Sequence, residues 1–418
     1  MRRLVEALAP ARLGSPFRWL IASSWVSNLG DGLAIAAAPL LIASETHDPL
    51  LVALGALLQR LPWLLFGLYA GVLADRLDRR ALIVSVALMR AAVVALLTVT
   101  IVTGRVNVIA VLAAMLLVGI AEVFADTSTG TLLPMVIAKQ DLGIGNARLM
   151  TSVLMTNQLA GPAVGAALFA AGRAWPFLVQ AVCVAFGAVL ISRMRLPGSR
   201  HRSSEPSHLR REVAEGLRWT WGNAAVRTLT LTIVTFNVTW GAAWSVLVLY
   251  AIQRLGLGAF GYGMLNTLGA LGGLAGIASY DWLERRASLA HIMRVGLLIE
   301  TFTHLGLAVT TTPWIAMAIM FIFGAHALIW GTTSRTVRMR AVPMELQGRV
   351  GGMYSLALFG GIFVGQVLGG VIARIWGVTG PFWFAFAGSA LLLSLIWREL
   401  GHIAHADERG TAEIKTAA

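Results

Sequence analysis

Three carboxylates stand inside stretches that are otherwise apolar: Asp31, Glu122 and Asp126. Glu122 and Asp126 are four residues apart, which on a helix puts them on one face. Arg60 and Arg90 are cations set in the same kind of sequence. An ionised group in hydrocarbon costs at least about 2.5 kcal/mol, so each needs a partner or a task. Burial favours the neutral form of a carboxyl and a nearby arginine favours the charged one, so a movement that changes this balance binds or releases a proton. Proton coupling is the chemistry this pattern suggests, with Asp31 first, then Glu122, then Asp126, and Arg90 as their partner. The alternative is a permanent ion pair with Arg60 or Arg90 that only holds helices together, or, for Asp126, simple hydration near the cytoplasmic surface.

Further along the chain, Glu300 and His304 share one helical face, as do His326 and Trp330. Histidine titrates near neutrality, which makes His326 a candidate for a second proton site or a substrate donor, against the alternative of a structural histidine. Glu300 with His304 reads as an internal pair. Asn237, Trp240, Gly241 and Trp244 fall on one stripe at helical spacing. With Trp330 they offer the faces that flat, hydrophobic or cationic ligands need. Tryptophans also anchor helices at the membrane interface, and Trp244 lies near enough to the outer surface for that role.

Other chemistries lack their residues. A phosphate loop ends in Gly-Lys-Ser/Thr, yet Lys139 is followed by Gln140 and Lys415 is preceded by Ile414, so ATP is not expected as a fuel. The eight histidines are scattered and the single cysteine, Cys183, lies in an apolar run, so neither a metal nor a disulfide is expected. No cofactor and no enzymatic activity are expected. The formal charge of +13 would suit nucleic acid, but its placement does not. Of the 33 basic residues most fall on the tails and loops of one side, with Arg105, Arg173, Arg254 and Arg374 on the other.

The elements that must hold these groups are membrane helices. Of 418 residues 57% are hydrophobic and 13% charged, far fewer charges than the quarter or so usual in soluble proteins. Apolar runs long enough to cross a bilayer predict helices over 17–43, 50–74, 81–103, 106–133, 147–171 and 174–193, then 227–251, 260–283, 288–310, 313–334, 350–374 and 379–400. The first run is too long for a signal peptide and reads as a retained helix. This divides the chain into a six-helix bundle over 1–193, a cytoplasmic linker over 194–225, a second bundle over 226–400 and a tail over 401–418. The basic asymmetry places both termini in the cytoplasm. In the linker, Leu209, Val213, Leu217 and Trp221 form an apolar face opposite arginines, as in a helix lying at the headgroups, or in a plain solvated connector.

The halves repeat one another at a nearly constant offset. Asp75 with Arg79 and Arg80 recurs as Asp281 with Arg285 and Arg286; Leu133-Pro134 recurs as Val342-Pro343; Gly161 with Gly165 recurs as Gly365 with Gly369. The run Gly71-Val-Leu-Ala-Asp75-Arg76-Leu-Asp78-Arg79-Arg80 resembles the signature between the second and third helices of the major facilitator superfamily, with Asp78 where that pattern has glycine. Gly161-Pro162-Ala-Val-Gly165 is similar to the fifth-helix motif of its exporters. Asn28-Leu-Gly-Asp31-Gly32, Leu133-Pro134 with Asn146, and Arg335 through Pro343 to Gly348-Arg349 resemble the branch of enterobactin and macrolide exporters. The resemblance covers essentially the whole chain. It implies an all-α fold of twelve helices in two pseudo-symmetric bundles around a central cavity. The first and fourth helices of each half would line the cavity and the second and fifth would form gates. On that geometry Asp75 would meet a helix start near Gly351, and Arg76, Arg79 and Arg80 would pair with acidic groups or anionic lipid. The plainer alternative is that these arginines fix topology.

Gly161-Pro162 removes a backbone hydrogen bond and allows close helix approach, so the fifth helix can bend; Gly365 and Gly369 lack the proline, so any kink should be asymmetric. Drug exporters of this kind often carry arginine on the fourth helix, but none stands between Val106 and Leu133, which leaves Arg90 for the role. The expectation is proton-coupled export of a hydrophobic or amphipathic drug, antibiotic or siderophore-like molecule across a bacterial inner membrane, with lipids as surroundings and no nucleic acid. Two alternatives stand beside it. Facilitated uptake or lipid translocation would not follow the proton gradient. A non-transporting receptor or scaffold would survive neutralisation of the gate motif and intramembrane charges.

Overall fold

The structure, a computed structural model, describes residues 11–194, 209–343 and 346–400; at Ala11, Leu68, Gly71 to Arg76, residues 209–213, Ala225 and Gly348 it describes the backbone alone. The chain forms two compact units, Met1–Ser203 with Gly256–Thr267, and Ser204–Leu255 with Leu268–Ala418.

In the first unit α1 spans Gly14–Glu45, α2 Pro49–Arg76, α3 Arg79–Val102 and α4 Val108–Gly130. The fifth helix, α5, starts at Leu142–Ser152, widens to a π-helix over Val153–Ala160 and returns to α-geometry over Gly161–Ala171. Helix α6, Trp175–Ser192, follows. Pro162 has no N–H for the carbonyl four residues before it, and the wider turns come immediately N-terminal to it, where such bulges relieve a broken ladder. Asn107 caps α4 by accepting from the Ala110 amide at 2.9 Å. Asp78 does the same for α3, accepting from Ala81 at 2.8 Å. The residue that departs from the family's glycine is therefore a helix cap.

The second unit opens with the linker helix α7, Leu209–Gly222, followed by α8, Ala224–Ser245, and α9, Leu247–Gln253. Next in the chain is α10, Ala259–Arg286, whose residues up to Thr267 belong to the first unit; the second unit continues with α11, Leu289–Val309; α12, Pro313–Ala341; α13, Gln347–Trp376; and α14, Gly380–Ile396. Helices α8 and α9 were expected as one straight span, but they meet at a 43° bend. The Ser245 hydroxyl turns back to the Ala242 carbonyl at 2.9 Å just before the break. Beyond it α9 is tied to the end of α11: the Tyr250 hydroxyl donates to Leu307 at 2.6 Å and Arg254 to Val309 at 3.0 Å. Helix α12 runs about two turns past its expected end, which places Arg335, Arg338 and Arg340 on the helix rather than in a loop.

Among the described residues nine helices are long and apolar enough to cross a membrane, or ten if α8 and α9 count as one. The other two of the expected twelve are also helices. Glycines dilute the hydropathy of α10, and α14 has only 17 residues. Leu96, Val102, Ile109, Val182, Phe302, Trp314, Ile375 and Leu395 all lie exposed on helix surfaces, as lipid-facing side chains do. Linker helix α7 docks on α13, where Gly216 lets it approach the Arg349 backbone and Glu215 pairs with Arg349 at 2.7 Å. Leu217 and Trp221 remain exposed.

The repeat seen in the sequence becomes a repeat of close crossings. In the first unit α1 meets α5 through glycine: a methyl on Gly32 would sit 2.7 Å from the Asn157 carbonyl, and one on Gly165 would sit 2.8 Å from Leu33 Cα. Gly161 lies directly against the Gly32 backbone. In the second unit α8 meets α13 in the same way through Gly365 and Gly369, against Asn237, Ala242 and Ser245. Without a proline, α13 stays α-helical throughout.

Candidate functional site

The first unit gathers its buried charges at one point. Asp31 comes from α1 and Arg90 from α3, and Arg90 Nη2 donates to Asp31 Oδ1 at 2.7 Å. The arginine side chain is 5% exposed and the aspartate 21%. They line a small cavity of about 90 Å³ with Asn28, Ser24, Asp126 and Thr129. Asn28 donates to the Ser24 carbonyl at 2.8 Å, and the Ser24 hydroxyl meets that of Ser152 on α5 at 2.6 Å. The cavity therefore mixes polar and apolar walls, has room for water, and is bordered by α1, α3, α4 and α6.

Helix α4 brings Glu122 and Asp126 toward the same arginine, since both lie within its electrostatic reach. Neither makes a hydrogen bond or ion pair among the described residues. Glu122 is half-buried and Asp126 exposed at the cavity rim. Arg60 on α2 is exposed and contacts none of the three carboxylates directly. Arg90 thus has three acids about it, of which only Asp31 binds it, and Arg60 acts on Glu122 and Asp126 from a distance. In this arrangement a proton can replace the arginine at one carboxylate while the arginine turns to another.

The family-signature residues fall at the ends of α2 and α3. The side chains of Gly71, Asp75 and Arg76 lie outside the described residues. Arg80 donates to the Ser192 carbonyl at the end of α6, and Arg79 reaches Met135 Sδ at 3.2 Å. Arg80 therefore caps a helix C-terminus, where unpaired carbonyls and the dipole favour a cation. The motif of α5, Gly161, Pro162 and Gly165, is buried at the α1 crossing. On its other side Thr267 donates to the Leu159 carbonyl at 3.2 Å.

The second unit holds the larger space, a cavity of about 870 Å³ walled by α8, α12 and α13. Asn237, Trp240 and Trp330 are among its lining residues. Trp244 stands behind this wall, stacked on Trp240 with centroids 5.6 Å apart and against Phe323 at 4.6 Å. Phe236, Phe323, Tyr354 and two arginines, Arg335 and Arg338, complete a lining that sequence reading did not assemble. Phe236 and Trp330 lie parallel with centroids 6.3 Å apart. Arg338 stacks on Tyr354 at 3.5 Å, and the Tyr354 hydroxyl meets Ser334 at 3.0 Å. The spacing of Arg335 and Arg338, one turn apart at the end of α12, was the available signal. It was masked by the expectation that this helix stops at residue 334.

Behind the aromatic wall, His304 Nε2 meets Glu300 Oε1 at 2.9 Å and His326 Nε2 lies 3.7 Å from Glu300 Oε2. All three side chains are buried. The expected pair is thus a cluster of three, and His326 is not a satisfied core histidine: its Nε2 and the Glu300 Oε2 both lack hydrogen bonds. Among the described residues no group of histidine, cysteine and carboxylate is arranged to hold a metal.

Known proteins share both sequence and fold with this chain. The sequence pattern of the family described as transmembrane secretion effector matches residues 5–414. The multidrug efflux pump Tap of Mycolicibacterium fortuitum is 23% identical over 399 residues, covering 91% of this chain and 94% of its own. The pump of the same name from Mycobacterium tuberculosis H37Rv is 25% identical, with 87% and 88% covered. Among solved structures, a nucleoside transporter superposes with a TM-score of 0.75 at 8% identity, covering 92% of this chain and all of its own. A D-xylose-proton symporter gives 0.72 at 12% identity, with 92% and 98% covered. A bacterial homologue of the iron transporter ferroportin gives 0.71 at 16%, with the same coverage. At such identities the superpositions show the fold alone.

Proposed function

Because the chain belongs to the transmembrane secretion effector family of the major facilitator superfamily, we propose that it exports hydrophobic or amphipathic small molecules in exchange for protons. It is a multi-pass membrane transporter, of a class that carries out no covalent chemistry. The observation that carries the proposal is the Asp31–Arg90 pair, set in a small cavity with Asp126 at its rim and Glu122 one turn away on the same helix. A purely structural ion pair would need no second and third acid beside it.

Substrate class follows from the second unit and from the relatives' names, which speak of multidrug efflux. A cavity of about 870 Å³ falls in the range of roughly 300–1,000 Å³ typical of small-molecule sites. Its aromatic lining offers area without many specific polar contacts, which suits varied amphipathic ligands. Asn237, Trp240 and Trp330 are assigned to substrate contact, Trp244 to support of Trp240, and His326 to a second proton site. Asp31 is the principal proton carrier, with Glu122 and Asp126 as relays.

Gly71 to Arg80 is assigned to the cytoplasmic gate, and Gly161, Pro162 and Gly165 to the flexing of α5. The moving halves are residues 1–193 and 226–400, joined by the linker over 194–225, with the tail over 401–418. The excess of arginine on one side assigns both termini to the cytoplasm of a bacterial inner membrane. The test is accumulation of rhodamine 6G in everted vesicles carrying the protein. Dye should enter when the lumen is acid and leave when a protonophore is added. Accumulation indifferent to the protonophore would overturn proton coupling.

A further inference from the structure

Glu300 is 1% exposed, His304 0% and His326 3%, in the middle of apolar helices α11 and α12. A carboxylate there is costly, and among the described residues no arginine or lysine pairs with it. The two histidines beside it are the groups placed to take up a proton. His304 Nε2 already engages Oε1 at 2.9 Å, while Oε2 and His326 Nε2 face each other at 3.7 Å without a bond. That gap is less than 1 Å longer than a hydrogen bond. A proton on His326 would close it.

What surrounds His326 makes the closure consequential. Gly296 leaves space for the ring, since a methyl there would sit 2.9 Å from His326 Cε1. Phe236 lies 6.3 Å from the imidazole centroid, Phe323 6.3 Å and Trp330 6.1 Å, all three edge-on. These same three rings line the cavity. Trp244 presses on His304 at 6.0 Å and carries Trp240 on its other side. Among the described residues no other ionisable group pairs with the three. On α8 the ionisable residue, Arg227, turns to the Trp221 carbonyl, and α14, packed beside α11, has no titratable residue between Gly380 and Ile396. Arg294 on α11 turns away to the Trp397 carbonyl, Arg335 on α12 points into the cavity, and Tyr280 on α10 sits at Thr333.

We propose that Glu300, His304 and His326 form a second protonation site behind the aromatic wall, and that a proton on it weakens the cavity's hold on a cationic amphipath. The proposal rests on the reading that this cavity receives substrate. A protonated His326 draws toward Glu300, shifting the rings packed on it, and adds positive charge directly behind the wall. Proton and cationic ligand then compete, as exchange requires.

The test is rhodamine 6G binding by fluorescence anisotropy to the full chain in lipid nanodiscs, at about pH 5.5 and about pH 8.5, either side of histidine's ordinary range. It is made in the Asp31→Asn background, so the principal proton carrier of the first unit is absent. Affinity should be about threefold or more higher at the alkaline pH, within the tenfold per pH unit that one linked proton allows. Adding Glu300→Gln or His326→Gln should flatten the dependence. A flat Asp31→Asn response, a dependence that survives both added variants, or no saturable binding at either pH would overturn the proposal. If the added variants do not fold, ¹⁵N-histidine spectra of the Asp31→Asn protein decide it. Buried imidazole signals that titrate and move with rhodamine 6G support the site, and signals that do neither refute it. Binding is read here, not transport, so failure of gradient-driven export would leave this result standing on its own.

Discussion

Arg90 on α3 reaches Asp31 on α1 at 2.7 Å, with Glu122 and Asp126 on α4 within its electrostatic reach. Breaking a buried pair from one side leaves a charge without compensation, which in proteins costs about 3–5 kcal/mol when burial is complete. Asp31 is partly open to its cavity, so a smaller penalty, about 1–3 kcal/mol, is expected for Arg90→Gln alone. The double variant Asp31→Asn with Arg90→Gln should recover part of it. Thermal unfolding in detergent, run as a double-mutant cycle, measures the coupling. A coupling near zero would mean that the pair contributes nothing to stability.

The cavity of the second unit should discriminate ligands by charge. Among the described residues Arg335 and Arg338 are the charged residues of its lining, with no carboxylate beside them there. Arg335→Gln with Arg338→Gln should therefore tighten binding of cationic dyes and weaken that of anionic ones of the same ring system, by about tenfold in ratio, or roughly 1.4 kcal/mol. Fluorescence titration with a matched dye pair checks this. An unchanged ratio would place the ligand away from these arginines.

Aromatic truncation should cost affinity without costing the fold. Trp240→Leu removes a cavity face that also stacks on Trp244, and about tenfold weaker rhodamine 6G binding is expected. Anisotropy titration measures it, with size-exclusion behaviour as the control for folding.

The glycine crossing of α1 and α5 should tolerate no side chain. Gly165→Leu would drive a side chain into the Leu33 backbone, and poor insertion or a sharply lowered Tm is expected. Gly67→Ala, with open space around it, should behave as wild type. Equal behaviour of the two variants would refute close packing at this crossing.

Much of this architecture was legible in the sequence because its signals are local. Runs of apolar residues give the spans, and Gly161 with Gly165 and Gly365 with Gly369 mark the two equivalent crossings. Asp31 and Arg90 were recognisable because charge in apolar sequence needs a reason. What the sequence withheld depends on side chains meeting across helices. Glu300 and His304 are neighbours by spacing alone, but His326 comes from another helix and joins them only through packing over Gly296. The break at Val246 depends on Tyr250 and Arg254 being tied to the end of α11. Asp78 looked like a departure from a glycine pattern, whereas its role as the cap of α3 follows from the ordinary preference of aspartate for that position.

The central claim is that Asp31 exchanges a proton for each transport cycle, and it is most directly tested by proton movement itself. Liposomes holding purified protein and a pH-sensitive dye are given an outward gradient of rhodamine 6G with no imposed pH difference. Wild type should drive protons against the direction of dye flow, and Asp31→Asn should abolish that movement. Proton flux of the same size in Asp31→Asn, or dye flow in wild type with no proton flux, would contradict the account.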